Sequence, residues 1–372
     1  MTTLKAKTDV FVIGGGPGGL AAAIAARRKG FAVTVADGAA PPIDKPCGEG
    51  MMPETQVALR DLGVTLPSSA GYRFRGIQFV QGSVQVAADF PEGQGIGIRR
   101  PILHKLLIQE AERREVNLLW RTPVLGLGPA GVQLPGRTVS ARWVVGADGG
   151  GSRVRRWSGL EVTAQRKQRN ASLRHYRLRP WSNYAEIYWG PRSQAYVTPI
   201  SSEEVCIVVM TEQCEDANFE RALRDMPELR ERLSGAELGS RERGAITAMH
   251  SLSRVSRGNV ALIGDASGGV DAITGDGLRL AFRQARALAE AMESRDLQAY
   301  EHKHRQLARR PMWMGKLMLW FGRNAKLRER AMRMMQRRPE LFARLLAIHV
   351  GHATPSDVLA TSAQLGWRFL TA

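Results

Sequence analysis

The chain begins with a short apolar run. Val10-Phe11-Val12-Ile13 is too brief for a helix and predicts a buried strand. The run Gly14-Gly15-Gly16-Pro17-Gly18-Gly19 must then turn the chain. Alanine-rich Leu20 to Lys29 predicts a helix, and Phe31 to Val35 a second buried strand that ends at Asp37. Pro53 suits the first turn of a helix over Glu54 to Leu62. Gly71 to Phe90 alternates apolar and polar positions through Ile77, Phe79, Val84 and Val86, which predicts a β-hairpin. Arg100 opens a helix with Leu103, Leu107 and Ala111 on one side, and Val116 to Trp120 predicts a strand. Trp143 to Ala147 reads as a strand running into a glycine turn and a further helix. Glu186–Trp189, Ala195–Pro199 and Val205–Met210 predict a sheet, interrupted by one helix over Phe219 to Leu233. Asn259 to Ile263 predicts another buried strand, Leu278 to Arg295 a helix, and the rest of the chain is helical in pattern.

The first of these turns carries a chemistry. Gly14, Gly16 and Gly19 fit G-x-G-x-x-G, with Pro17 and Gly18 between them. One glycine allows the tight turn, one lets the backbone approach a pyrophosphate, and one packs helix against strand. The diphosphate then rests on unpaired N–H groups at the positive end of a helix. Asp37 stands 23 residues after Gly14, where a ribose hydroxyl acceptor belongs. Gly126, Gly128 and Gly131 repeat the glycine spacing, but Val132-Gln133-Leu134 and Pro135-Gly136 follow as strand and turn, so a hairpin is expected there. No second strand–glycine–helix–acid unit is present for a nicotinamide cofactor.

Composition changes the picture in three ways. A length of 372 residues, 44% hydrophobic and 24% charged, suits two intertwined globular domains with real cores. Cys47, Cys206 and Cys214 have no C-x-x-C spacing, so neither a disulfide framework nor a metal site is expected. The net charge of +18 is uneven: residues 301–344 hold 13 Lys/Arg against three Glu, together with Trp313, Leu317, Trp320 and Phe321 at near-helical spacing. Such a segment predicts peripheral contact with an anionic membrane. The absence of a recognised reader module argues against nucleic acid. No run approaches a membrane span, and a cytoplasmic location is expected.

Three motifs stand in order: the first glycine turn, Gly146-Ala147-Asp148-Gly149 with Ser152, Val154 and Arg155, and Gly264-Asp265-Ala266. The chain thereby resembles the flavoprotein monooxygenases typified by para-hydroxybenzoate hydroxylase. Lys45-Pro46-Cys47-Gly48 and the run from Gly264 through Val270-Asp271 to Thr274-Gly275-Asp276-Gly277 make it similar to the geranylgeranyl reductase-like branch, departing at Ala272 (usually Pro) and Asp276 (usually Glu). The resemblance implies an α/β fold: a Rossmann-like FAD-binding domain (1–70, 97–160 and 255–300) interleaved with a mainly antiparallel β-sheet substrate domain (71–96 and 161–254), then a basic helical region (301–372). It implies FAD as cofactor, with NAD(P)H as a transient reductant.

Carried over by position, Gly14, Gly16, Pro17, Gly18, Gly19 and Asp37 hold the ADP half of FAD, and Gly48 and Arg100 contact the cofactor. Asp148 lies near the pyrophosphate, Gly264 and Asp265 meet the ribityl chain, and Gly275, Asp276 and Gly277 bring a helix N-terminus to the pyrimidine ring. Cys47 and Glu49 are the candidate catalytic residues. His175, Tyr176, Tyr196 and His250 are candidates to face the substrate. The favoured reaction is hydroxylation of a lipophilic aromatic, polyketide or isoprenoid substrate through a flavin C4a-hydroperoxide. The alternatives are saturation of prenyl double bonds and a non-catalytic flavin-dependent binding protein.

Overall fold

The computed structural model describes residues 7–160, 167–212 and 218–353. Cys214 and the end of the expected helical region, 354–372, lie outside the described residues.

The nucleotide half is built on parallel strands. Lys7–Ile13 is the central one, and its buried Val10, Phe11 and Val12 are covered on both sides. It pairs with Val33–Ala36 on one side and Arg137–Gly146 on the other, which in turn pairs with Val260–Leu262. In this register Ile13 lies beside Gly146, and Gly146 beside Leu262. Three strands therefore end at one level, and each runs into one of the three motifs.

Helix α1 (Pro17–Arg28) starts from the first turn with Pro17 at its N-terminus, the position where a missing N–H costs nothing. Its alanines pack closely on the sheet and against α3 (Arg100–Arg113), while α2 (Pro53–Asp61) adds Ala58 and Leu59 to the same core. A short α4 (Arg153–Trp157) follows the second motif. Gly126–Gly128 and Gly131–Leu134 form a hairpin, as the strand-and-turn pattern there predicts.

The second sheet roofs this half. Its order is Gly268–Gly269, Arg243–Ser251, Lys167–Arg177, Glu204–Thr211, Ser193–Pro199, Tyr184–Trp189, Gly76–Gln81 and Val84–Asp89. All neighbours are antiparallel except Tyr184–Trp189 with Gly76–Gln81. The helix expected over Phe219 to Leu233 is two helices, α5 (Phe219–Arg224) and α6 (Pro227–Arg232). Pro227 cannot donate an i→i−4 bond and clashes with the preceding turn, so the chain restarts there.

Helix α7 (Gly277–Ser294) follows the third motif and packs on α1. Helix α8 (Leu297–Arg323) runs through Pro311 and across residue 301. Helices α9 (Ala325–Arg337) and α10 (Pro339–Val350) close over the far end of the roof sheet, with Phe79, Met332 and Phe342 buried between. None of the described helices is long and apolar enough to cross a membrane.

Not all of the basic charge faces outward. Arg328 is 1% exposed. It donates to Gln81 Oε1 (2.9 Å), Gly322 O (2.6 Å) and Gly190 O (3.3 Å) and lies over the Trp189 ring. Its guanidinium stitches α9 to the roof sheet. Arg328→Met leaves one buried and two half-buried acceptors without a donor, at about 1–3 kcal/mol for the buried one and less for the others. Urea unfolding should show a loss of about 3 kcal/mol; an unchanged midpoint would contradict this role.

Candidate active site

The three turns converge as the strand register requires. Gly14 has φ +109, and a Cβ there would lie 2.4 Å from Ala147 O. A Cβ on Gly19 would lie 1.8 Å from Gly14 O. The first and second motifs thus touch backbone to backbone, and neither glycine admits a side chain. Gly16, the N-cap of α1, has nothing within 4 Å of its would-be Cβ and faces an open cleft. Pro17 and Gly18 line the same cleft.

Asp37 accepts the Gly15 N–H at Oδ2 (2.7 Å) and the Ala39 N–H at Oδ1 (2.8 Å). Its carboxylate is locked at the cleft edge, with lone pairs remaining for a ribose hydroxyl. A residue that sequence reasoning missed sets this turn. His104 on α3 is fully buried, accepts the Ile43 N–H at Nδ1 (3.2 Å) and donates from Nε2 to Gly15 O (2.8 Å). Burial, above all, holds its pKa below the usual imidazole value, so the neutral donor form persists.

Asp148 lines the cleft, but its carboxylate turns to α4. It accepts from Ser152 Oγ (2.5 Å) and from the N–H groups of Arg153 (2.7 Å) and Val154 (3.2 Å). Its first task here is to cap that helix. Arg155, a residue of the second motif, is 1% exposed and donates to Gly150 O and Ala266 O, clamping the second motif to the third.

Arg100 and Asp265 face each other across the cleft. The Arg100 Nε is buried without a hydrogen-bond partner. Gly264 and Asp265 line the cleft beside it, and Asp265 is exposed. Surrounding protein pushes its pKa up, an effect reduced by Arg100, His250 and Lys45. An orphaned guanidinium nitrogen, an unpaired carboxylate and the N-termini of α1 and α7 fit the phosphates and hydroxyls of FAD.

Gly275 and Gly277 line the cleft where α7 begins. Asp276 caps nothing with its side chain; the carboxylate is 1% exposed and accepts from Arg279 Nε (2.6 Å). Asp271 holds this loop to the roof. Its Oδ1 accepts from Arg169 (2.8 Å) and from Ile273 N (3.0 Å), while Arg169 also donates to Gln194 Oε1 (2.7 Å).

The loop carrying Cys47 lies between the two sheets. Thr198 Oγ1 donates to Gly48 O (2.7 Å), and Gly48 and Cys47 line the cleft. Glu49 adopts φ +55 and is 4% exposed. Its Oε1 accepts the Arg100 N–H (2.9 Å), and its Oε2 lies 2.8 Å from His175 Nε2. Both oxygens are engaged, so Glu49 anchors the loop and the start of α3. His175 is spent on this anchor, with Nδ1 2.7 Å from Ser240 Oγ. Tyr176 packs on the opposite face with Phe219, whereas Tyr196 and His250 line the cavity.

Beyond the loop the cleft widens into one cavity of about 1330 Å³. Its far part is apolar, lined by Phe79, Met318, Phe321, Met335, Phe342 and Leu346 from the roof sheet and α8–α10.

The profile of the FAD binding domain family matches residues 7–312. The chain belongs to that family. It is similar to menaquinone reductase of Mycobacterium tuberculosis, 28% identical over 316 residues covering 78% of this chain and 77% of that one. It is also similar to digeranylgeranylglycerophospholipid reductase of Methanothrix thermoacetophila, 26% identical over 332 residues covering 81% and 83%. A solved flavoprotein/dehydrogenase from Cytophaga hutchinsonii superposes with TM-score 0.80 at 20% identity, over 92% of this chain and 93% of that one. That last likeness shows the fold alone. The chain is an FAD-dependent oxidoreductase.

Asp265 gives a prediction about the cofactor. Asp265→Asn should weaken FAD roughly tenfold or more, since a hydrogen bond to a charged group is worth about 1.5–3 kcal/mol. FAD titration checks this; tighter FAD binding would contradict the assignment.

Proposed function

We propose that this protein is an FAD-dependent reductase that saturates double bonds in a prenyl-bearing lipid, with NAD(P)H as a transient reductant. The observation that carries the reading is the single cavity. Its polar end holds the three turns, its apolar end suits a long hydrocarbon, and the Cys47 loop stands where the two meet. The names of the curated relatives support reduction over the oxygen transfer that the wider superfamily resemblance favours.

FAD, when bound, supplies a hydride to the substrate. The chain's residues do the rest. The apolar chamber takes the isoprenoid out of water at about 0.8 kcal/mol for each buried methylene, so chain length is read as affinity. The Glu49–His175 anchor and the Thr198–Gly48 bond fix the loop so that the Cys47 thiol is held at the junction. Saturation places a hydride on one alkene carbon and a proton on its neighbour, and the thiol of Cys47, which lines the cavity on that loop, carries a hydrogen that can serve as that proton. The loss of a nicotinamide-binding half suits a reductant that docks, reacts and leaves.

Anaerobic incubation of the chemically reduced holoenzyme with a polyprenyl lipid tests the reaction. The product should gain two hydrogens by mass. A product that gains one oxygen, formed only in air, would establish hydroxylation instead. Cys47→Ser should keep FAD and lose turnover by about a hundredfold; full turnover would leave the thiol a structural group.

The mouth of the chamber supports membrane delivery of such a substrate. Trp313 (47% exposed) and Trp320 (53% exposed) lie two turns apart on α8, with exposed Arg309 and Lys316 beside them, and Leu317 and Trp320 also line the cavity. Wild-type protein should float with anionic vesicles, and a Trp313→Ser/Trp320→Ser double variant should not. Equal flotation of the two would reject this face.

A further inference from the structure

A second polar centre lies behind the start of α7; of its members only Asp276 is expected at the cofactor, and its carboxylate turns away to Arg279. It gathers Glu54 from α2, Asp276, Arg279 and Arg283 from the start of α7, Arg310 from α8, and His349 from the end of α10. His352 and Glu92 stand at its outer edge. The carboxylates of Glu54 and Asp276 and the guanidinium of Arg279 are buried, at 7%, 1% and 3% exposure.

Most of these groups are not fully bonded. Both oxygens of Glu54, Oδ2 of Asp276, Nε of Arg310 and Nδ1 of His349 are buried without a hydrogen-bond partner, while an Nη of Arg279 is ion-paired with Asp276 Oδ1 at 2.5 Å. A buried polar atom left unsatisfied costs roughly 1–3 kcal/mol, so five gathered in one place mark a hydrated pocket. Burial and the neighbouring arginines depress the pKa values of Arg283 and Arg310, and burial raises that of Glu54.

The cluster has an outer and an inner end. Outside, His352 is 32% exposed at its side chain, with Nε2 3.5 Å from Glu54 Oε1 and Nδ1 3.7 Å from Glu92 Oε1. Inside, His349 lines the cavity; its Nε2 lies 2.9 Å from Thr274 O and 4.0 Å from Asp276 Oδ2. Arg279 and Arg310 act electrostatically on both Glu54 and His349, which places the two groups around the same guanidinium centre.

We propose that this cluster is a proton route from solvent to the cofactor end of the cavity. It rests on the FAD reading. His352 and Glu54 collect a proton from water, and ordered water between the orphaned atoms carries it to His349. Thr274 O fixes the hydrogen of His349 on Nε2, so Nδ1 is the atom that takes the arriving proton, and Nε2 releases one toward the cavity. The arginines do not relay; their charge opposes the rise that burial gives the pKa of Glu54. The route serves saturation and hydroxylation alike, since each consumes protons inside the chamber beneath the roof sheet and α8–α10.

The test needs no substrate. Anaerobic dithionite delivers an electron pair to bound FAD and releases protons as it is oxidised to sulfite, while the reduced flavin takes one proton up, so in a stopped-flow cell a pH indicator reads the uptake as the phase that follows the release. Glu54→Gln and His349→Gln should each slow proton uptake about tenfold or more with FAD affinity retained, and His352→Gln should slow it less. Unchanged uptake in both inner variants would overturn the route and leave the cluster a structural ionic staple. Infrared difference spectra of the wild-type holoenzyme give a check that needs no variant: reduction should perturb a deuterium-sensitive carboxyl band. Silence in that region would also overturn it. Protein that never takes up FAD would instead contradict the functional assignment.

Discussion

The backbone of the turn after Ile13 lies directly against the backbone of the turn after Gly146. A Cβ at Gly14 would sit 2.4 Å from Ala147 O, and one at Gly19 would sit 1.8 Å from Gly14 O. This approach lets α1 begin at the cleft rather than away from it. It also brings the second motif within reach of the first, and Arg155 then draws in the third through Ala266 O. The N-terminus of α1 and the Asp37 carboxylate owe their placement to that contact. A single methyl group at Gly19 would push α1 off the strand and open the cleft that three motifs share.

The elements that were legible in the sequence are those whose cause is local. Four apolar residues and a glycine turn predict the first strand and α1, and Pro53 marks the start of α2. Residues 126–134 could be told from a nucleotide site because a strand, not a helix, follows the glycines. The links that finish the site were not legible, because their partners lie far apart in the chain. His104 meets Gly15 across 89 residues, Arg169 meets Asp271 across 102, and His175 meets Glu49 across 126. A histidine in a helix or an arginine in a strand carries no local sign of such a partner. The broken helix at 219–232 is a different failure: helical periodicity continues through Pro227, but backbone hydrogen bonding does not.

The basic charge of the C-terminal helices divides by position. Arg309 and Lys316 are exposed beside two tryptophans, where they can meet an anionic surface. Arg310 and Arg328 point inward, one to the polar cluster behind α7 and one to the seam between α9 and the roof sheet. Composition alone reads all of them as one field. The structure separates exposed charge on α8, a staple at Arg328 and a buried polar cluster behind α7.

Titration of the apo-protein with FAD, followed by quenching of flavin fluorescence and by the shift of its visible absorption, tests the central claim most directly. The account predicts stoichiometric, saturable binding to the wild-type chain and its loss in Gly19→Ala, whose methyl group cannot fit against Gly14 O. Wild-type protein that stays colourless after reconstitution, or a Gly19→Ala chain that binds FAD as tightly as the wild type, would contradict it.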